Sequence, residues 1–229
     1  MPFFGEKDSE NKYQSSNEQV LYDSAQASLR AGNYLNGIAK LEALEARFPF
    51  GNYAQQAQLE LIYAYFQNFN FEAAEAAADR FIRLHPDHPN IDYALYMRGL
   101  TIYAKDHSFF DRFLSQDASK RDTANVRSAF NDLSALTRDF PDSEYATDAR
   151  QRMIFLRNLI AQSEVNVANY YISLRAHVAA ANRARGVIEN YSQTPAVAEA
   201  LAILIEANYR LGLSDAANDA LRILSINYP

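Results

Sequence analysis

Apolar residues recur at helical spacing along the chain, in stretches that each end at a proline or an equivalent position. Counting back twelve positions from each end point reaches a small residue, and further apolar residues follow it four and seven positions later. This spacing places all of them on one face of a helix. The small residue lets a neighbouring helix approach closely, and proline ends the helix because it lacks an N–H and clashes with the preceding turn.

Five such stretches share one register, which predicts a repeat. Their end points are Pro49, Pro86, Pro141, Ser192 and Pro229. The small residues are Gly37, Ala74, Ala129, Ala180 and Ala217. The next two sets are Leu41, Ala78, Leu133, Ala184 and Leu221, followed by Leu44, Phe81, Leu136, Val187 and Leu224. Directly before the end points lie Phe48, His85, Phe140, Tyr191 and Tyr228. We call these four sets the repeat columns and expect them to pack in the core.

A partner helix is predicted before three of the stretches. These helices cover Glu18–Ala31, Ala54–Gln67 and Ala196–Leu211, and the helices that follow them have Asn33, Asn70 and Ser214 as predicted N-caps. Helix, short turn, helix and proline is the plan of the tetratricopeptide (TPR) repeat, a unit of about 34 residues. The sequence therefore predicts an all-α, TPR-like α-solenoid of about five helix–turn–helix units.

Two of the units are longer than the others. In the third unit a charged loop insertion, residues 106–122, separates the predicted helices Ile91–Lys105 and Thr123–Asp139. Phe109, Phe110 and Phe113 lie in it, and long loops with exposed aromatic residues are candidate binding elements. Residues 143–176 contain no glycine or proline. They predict one long helix leading into the fourth unit, with a bend near Gln162-Ser163 left open.

Composition agrees with a helical globular protein and excludes several classes of function. Hydrophobic residues make up 48% of the 229 residues, and glycine and proline number only seven each. The net charge of -6 argues against nucleic acid as a partner. The absence of cysteine excludes disulfides, thiol catalysis and thiolate zinc sites. No apolar run reaches the ~18 residues that a membrane-spanning helix needs. Residues 1–17 are interpreted as a flexible leader.

Candidate catalytic chemistry is confined to the histidines. His85 falls in a repeat column and His177 begins a predicted helix, so both are expected to pack. His88 lies in a Pro-Asp-His-Pro turn; with His85, Asp87 and Asp92 it could form a metal-hydrolase site, although a third strong ligand is not evident. Phosphate-binding loops and hydrolase motifs are absent from the sequence. We therefore predict no catalytic residue, no cofactor and no metal.

A binding role fits the predicted architecture. Stacked helix pairs form an extended concave surface that usually binds protein segments. Asn, Gln, Tyr and Arg side chains can hold the backbone of an extended ligand there.

Three stretches resemble one family closely. They are Leu41–Phe66, Arg80–Leu100 and Ala129–Tyr191. The first contains the segment "RFPFG" and the second contains "HPNIDYALYMRGL". The resemblance is to the BamD (ComL/YfiO) family of outer membrane assembly lipoproteins, and it covers nearly the whole chain from about Glu18. It implies a non-enzymatic subunit of the BAM complex, which folds and inserts β-barrel proteins into the outer membrane of Gram-negative bacteria.

The resemblance also implies location and partners. The protein is expected at the periplasmic face of the outer membrane, tethered by a lipidated N-terminal cysteine that this sequence does not contain. The N-terminal half, residues 18–122, is expected to bind the C-terminal signal of unfolded barrel substrates, and BamC where it is present. The C-terminal half, residues 123–229, is expected to dock a POTRA domain of BamA and smaller lipoproteins such as BamE. A generic periplasmic TPR scaffold is the alternative.

Individual residues carry over from the same resemblance. The groove of the N-terminal half is expected to involve Arg47, Phe48, Phe50, Gly51 and Tyr53, with Phe48 standing where relatives often have tyrosine. Docking of BamA is expected to involve Arg183 and Arg185. A guanidinium there can pair with a carboxylate of the partner through two N–H groups.

Overall fold

Ten α-helices account for most of the chain. The computed structural model describes residues 18–111 and 124–228, with side chains for 18–105 and 124–228. Within these ranges the helices are α1 Glu18–Arg30, α2 Tyr34–Arg47, α3 Ala54–Gln67, α4 Phe71–Leu84, α5 Ile91–Asp111, α6 Ala124–Asp139, α7 Ala146–Ser173, α8 His177–Asn190, α9 Ala196–Arg210 and α10 Ser214–Asn227. The all-α prediction is confirmed, and the helices follow one another in pairs packed like TPR repeats.

The predicted insertion in the third unit is only partly described. Helix α5 was predicted to end at Lys105 but continues to Asp111, because residues 106–111 contain no glycine or proline to stop it. The side chains of Phe109 and Phe110, and all of Phe113, lie outside the described residues, as do residues 1–17. The long-helix prediction is confirmed: α7 is one continuous helix of 28 residues through Gln162-Ser163.

The turns within the helix pairs follow the predicted chemistry in two of three places. The side chains of Asn33 and Asn70 accept hydrogen bonds from backbone N–H groups three residues later, as N-caps do. Ser214 was predicted as the third N-cap and this is wrong: it is the first residue of α10, and Leu213 occupies the cap position without a side-chain bond. In both Gly32-Asn33 and Gly212-Leu213 the cap follows the glycine directly, so Ser214 lies one position too late.

The last repeat column marks the helix ends. Phe48, His85, Tyr191 and Tyr228 are C-caps, and the backbone N–H of each donates to the carbonyl four residues earlier at 2.8–2.9 Å. The proline that follows in the repeat cannot continue the helix, because it lacks an N–H group. After Tyr191 the residue is Ser192, and the helix ends there as well.

Of the described residues, 18–105 together with 138–145 form a first compact unit, unit 1. Two clusters of described residues that share α3 lie in its core. One joins α1, α2 and α3 through Leu21, Ala25, Ile38, Leu41, Leu44, Ala57, Leu61 and Ala64. The other joins α3, α4 and α5 through Leu59, Ile62, Ala77, Ala78, Phe81, Ile91, Ala94 and Met97. Burial of each large apolar side chain contributes about 1.5–3 kcal/mol, so the repeat columns hold these helices together.

The described residues 106–111, 124–137 and 146–228 form a second compact unit, unit 2. Its main cluster joins α7, α8 and α9 and is rich in alanine: Ala161, Val165, Ala168, Ala180, Ala181, Ala184, Val187, Ala196, Ala200, Ile203 and Ala207. Small side chains let these helices pack closely. In a smaller cluster, α10 packs against α9 through Val197, Leu201 and Ala220.

Two members of the repeat columns, Leu221 and Tyr228, depart clearly from the predicted burial, and Tyr228 is 40% exposed. Leu221 on α10 is 50% exposed, whereas Leu41, Leu133 and Ala184 in the same column are fully buried. The helices that the structure describes leave this face of α10 exposed. As for membranes, none of the helices in the described ranges combines the length and apolarity that crossing a bilayer requires.

Candidate functional site

The loop between α2 and α3, residues 48–53, carries most of the residues predicted for the N-terminal groove. Tyr53 stacks on Tyr22 of α1, with ring centroids 4.4 Å apart and an angle of 18° between the rings. The backbone N–H of Tyr53 donates to Glu18 Oε1 at 2.8 Å. The loop is therefore anchored to α1 by one ring stack and one charge-assisted hydrogen bond.

Phe48 and Phe50 have different surroundings in this loop. Phe48 packs on the cluster of α1, α2 and α3, and the guanidinium carbon of Arg47 lies 5.2 Å from its ring centroid. Phe50 is 99% exposed. The loop thus presents one aromatic ring to solvent while the other supports the core.

Glu60 on α3 links this loop to a neighbouring cavity. Its Oε1 accepts hydrogen bonds from the Tyr22 hydroxyl at 2.6 Å and from Gln56 Nε2 at 3.0 Å, and Oε2 accepts one from Gln26 Nε2. Burial, and then the hydrogen bond to the Glu60 carboxylate, raise the pKa of Tyr22 above its usual value. Tyr22 is therefore a hydrogen-bond donor at neutral pH, and it holds Glu60 in place.

The cavity has a volume of about 380 Å3 and lies within unit 1, and we call it the tyrosine cavity. Its lining combines tyrosines, carboxylates and amides: Gln56, Leu59, Glu60, Tyr63, Pro89, Asn90, Asp92, Tyr93, Glu144 and Tyr145. A volume of this size accommodates a few side chains of a bound segment.

The rings around the tyrosine cavity are held by one another. Tyr145 stacks on Tyr96 at 4.9 Å and packs against Tyr93 at 5.6 Å. Asp92 is fixed because its Oδ2 accepts a hydrogen bond from Ser143 Oγ at 2.6 Å. Much of the lining is therefore pre-organised, which lowers the entropy that binding costs.

Electrostatically the tyrosine cavity is acidic. Glu60, Asp92 and Glu144 face it, and its described lining residues include no lysine or arginine. Burial, followed by the hydrogen bond to Glu144, raises the pKa of Tyr145 to about 12. At neutral pH this hydroxyl keeps its proton and donates it to Glu144. The side-chain amides of Gln56 and Asn90 can donate to backbone carbonyls, while the carboxylates can accept from backbone N–H groups. The arrangement suits the alternating donors and acceptors of an extended polypeptide.

Among the residues that line this cavity, sequence reasoning singled out only Asp92, as a candidate metal ligand; for peptide binding it predicted only the neighbouring loop. One signal was available: Tyr53 and Tyr145 both stand four positions after a proline of the repeat, directly before the helices that begin at Ala54 and Ala146. The contribution of Glu60 could not be found in this way, because it depends on the packing of α1 against α3.

The histidines that raised the question of metal binding take part in packing and turn structure. His85 Nε2 lies 3.0 Å from Gln58 Oε1, and its ring centroid is 5.0 Å from that of Phe81, so the packing prediction is confirmed. His88 also packs on Phe81, at 5.1 Å, and its Nδ1 accepts a hydrogen bond from the backbone N–H of Asn90. No group of three or more potential metal ligands occurs among the described residues. His177 begins α8, as predicted.

The two arginines predicted to dock BamA lie on α8 in unit 2. Arg183 donates to Glu164 Oε2 at 2.8 Å, and Arg127 donates to Glu164 Oε1 at 2.6 Å, so one carboxylate on α7 joins two guanidinium groups. The hydrogen bond to Glu164 raises the pKa of Arg183 further above its usual value. Arg185 is exposed, and its contact with Asn182 Oδ1 is long at 3.4 Å. Both side chains are within reach of a partner.

Comparison with known proteins adds to this picture. Residues 14–223 match the model of the family described as YfiO, outer membrane lipoprotein. The sequence is 44% identical over 211 residues to outer membrane protein assembly factor BamD of Neisseria meningitidis serogroup A, covering 92% of this chain and 79% of that protein. It is 41% identical over 207 residues to BamD of Vibrio cholerae, covering 90% and 86%.

Among solved structures, MamA of Desulfovibrio magneticus RS-1 is similar over 91% of this chain and 93% of that protein, with 12% identity and a TM-score of 0.42.

Proposed function

The chain belongs to the BamD (YfiO) family of outer membrane lipoproteins, which are non-enzymatic assembly factors of the BAM complex, and we propose that it acts there as a receptor and scaffold. Unit 1 receives an extended segment of an unfolded outer membrane protein or of a partner lipoprotein such as BamC. Unit 2 docks a POTRA domain of BamA, together with BamE where it is present.

The observation that carries the receptor role is the connection between the 48–53 loop and the tyrosine cavity. Tyr53 stacks on Tyr22, and Tyr22 donates to Glu60, which lines the cavity. A segment that contacts Phe50 or Tyr53 therefore meets side chains coupled to the cavity lining. The aromatic rings supply apolar contact for its side chains, and the hydroxyls and carboxylates pair with its backbone.

The docking role is supported by the exposed arginines of α8. Arg183 uses one Nη for Glu164 and is 47% exposed, which leaves further N–H groups for a carboxylate of BamA. Because Glu164 also binds Arg127, the guanidinium of Arg183 is held in position before the partner arrives. The cluster of Arg127, Arg183 and Glu164 contains two positive charges and one negative charge. Its net positive charge therefore attracts a carboxylate of the partner.

The family description supports a proposal about localisation. We propose that the protein lies at the periplasmic face of the outer membrane and is held there by a lipid on an N-terminal cysteine, a residue this sequence does not contain.

Site-specific photocrosslinking tests the receptor role. A photoreactive residue replaces Tyr53 or Tyr63 in unit 1, and Tyr209, which is 73% exposed in unit 2, serves as the matched control. A peptide ending in the aromatic β-strand signal of a barrel protein is expected to crosslink at the first two positions and not at the third. Crosslinks confined to Tyr209 would show that the groove is wrongly assigned.

A pull-down with the periplasmic region of BamA tests the docking role separately. Wild-type protein should bind, and the Arg183→Glu variant should bind much less because the reversed charge repels the partner's carboxylate. Arg210→Glu on α9 is the control, since Arg210 is 62% exposed and contacts Glu206 only at 3.8 Å. Equal binding by all three proteins would contradict the assignment of Arg183.

A further inference from the structure

A second cavity lies within unit 2 and differs in charge from the tyrosine cavity. It has a volume of about 360 Å3 and is formed by α6, α7 and the end of α8. Its lining consists of Arg127, Phe130, Asn131, Arg157, Ile160, Asn190 and Tyr191. Two guanidinium groups and two amides face this space, and the described lining residues include no carboxylate.

One of the two arginines is already held in place. Arg127 donates to Glu164 Oε1 at 2.6 Å and to the Tyr191 hydroxyl at 3.1 Å. Tyr191 accepts this hydrogen bond, so its own O–H remains available as a donor. Arg127 and Tyr191 thus form a fixed wall of the cavity.

The other arginine lacks such support. The Nε atom of Arg157 is buried and has no hydrogen-bond partner among the residues that the structure describes. A buried donor without an acceptor destabilises a protein, and native structures usually satisfy such groups. Because Arg157 lines the cavity, an acceptor that enters the cavity can satisfy it.

The chemistry of the lining selects the class of ligand. Guanidinium, amide and hydroxyl groups in the lining can all donate hydrogen bonds, so they suit an anion with several acceptor lone pairs. A guanidinium also matches the planar shape of a carboxylate. Phe130 and Ile160 provide an apolar wall beside these donors. A free inorganic anion would leave that wall without contacts.

We propose that this cavity binds a carboxylate carried next to an apolar side chain on a polypeptide segment, with Arg157 as its principal partner. The carboxylate comes either from an aspartate or glutamate residue or from the carboxyl terminus of the segment. This site is distinct from the Arg183 docking site, because Arg183 is not among the residues that line the cavity.

Three capped dipeptides test the proposal on the full-length protein by NMR titration and thermal unfolding. Acetyl-Ala-Leu carries a terminal carboxylate, acetyl-Leu-Asp-amide carries an aspartate carboxylate, and acetyl-Ala-Leu-amide is neutral. At least one acidic peptide should shift the backbone signals of Asn131 and Tyr191 and raise the unfolding midpoint, and the neutral peptide should do neither. Whichever acidic peptide binds more tightly identifies the source of the carboxylate.

Variants separate binding from folding. Arg157→Gln should weaken the acidic peptide about tenfold, which corresponds to the loss of one strong charge-assisted interaction. Its unfolding midpoint without peptide should be no lower than that of wild type, because the substitution removes the buried Nε–H group that has no acceptor. Arg150→Gln, an exposed residue of the same helix, is the control and should bind as wild type.

Three results would overturn the proposal. They are equal binding of the neutral peptide, unchanged binding by Arg157→Gln, and binding of inorganic phosphate as tight as that of the acidic peptides. Failure here leaves the photocrosslinking and BamA experiments unaffected, since those concern unit 1 and Arg183.

Discussion

The carboxylate of Glu18 occupies the space into which a side chain at Gly51 would project. A Cβ added to Gly51 would overlap both carboxylate oxygens of Glu18. Since Glu18 Oε1 also accepts the hydrogen bond from the Tyr53 N–H, the missing side chain lets the first residue of α1 reach the start of α3. The close approach of the Glu18 carboxylate therefore explains why residue 51 of the "RFPFG" stretch is glycine. A left-handed backbone conformation does not explain it, because the φ of Gly51 is not in that region.

Gly51→Ala should consequently lower the free energy of unfolding by about 1 kcal/mol, because the methyl group displaces Glu18 and breaks its bond to Tyr53. In a Glu18→Ala background the same change should be neutral or slightly stabilising, since alanine restricts the unfolded chain. Urea unfolding of the two single variants and the double variant measures this coupling. Additive losses would show that the two residues act independently.

The Tyr22–Tyr53 stack yields a second prediction. Tyr53→Ala should destabilise unit 1 by about 2 kcal/mol, because it removes both the ring contact and the apolar surface that the ring buries. Tyr53→Phe keeps the ring and should cost less than about 0.5 kcal/mol. Urea unfolding followed by circular dichroism compares the two variants. Similar losses for both would assign the effect to the hydroxyl instead of the stack.

The repeat columns show how far the fold could be predicted from the sequence. Their spacing fixed the face of each helix, and the predicted boundaries of α1, α3 and α9 agree with the structure to within one residue. The exposure of Leu221 could not be predicted, because a column describes only which side chains share a face. Whether a neighbour covers that face depends on where the stack of helices ends.

The candidate site was less accessible from the sequence. The resemblance drew attention to the 48–53 loop, but the tyrosine cavity joins α3, α5 and residues 144–145, which are far apart in the chain. Likewise the shared use of Glu164 by Arg127 and Arg183 depends on three helices meeting in unit 2. Tertiary relationships of this kind leave no periodic signal in a single sequence.

Leu133 and Leu221 form a matched pair for testing the role of the columns. Leu133 is 1% exposed and Leu221 is 50% exposed, although both occupy the same repeat position. Leu133→Ala should lower the free energy of unfolding by about 2–5 kcal/mol because it leaves a cavity. Leu221→Ala should cost less than about 1 kcal/mol. Thermal unfolding of the two variants checks the difference, and equal losses would mean that α10 is covered in solution.

His88 makes the stability of the protein depend on pH. Burial first, and then the charge of His85, lower the pKa of His88 below its usual value of 6.5. The Asn90 N–H donates a hydrogen bond to Nδ1 of His88, and this bond also requires that Nδ1 carries no proton. The folded protein therefore resists protonation of His88, while the unfolded chain takes up a proton at the usual pKa.

Linkage then sets the direction: below pH 6.5 the unfolded state binds more protons, so stability should fall as the pH is lowered below about 6.5. His88→Asn retains an oxygen that can accept from the Asn90 N–H but does not titrate, so it should lose less stability across this range than wild type. Urea unfolding at several pH values gives the slopes, and NMR of the four histidine rings gives the pKa directly. An imidazole pKa at or above 6.5 for His88, or identical slopes for the two proteins, would contradict this account of the turn.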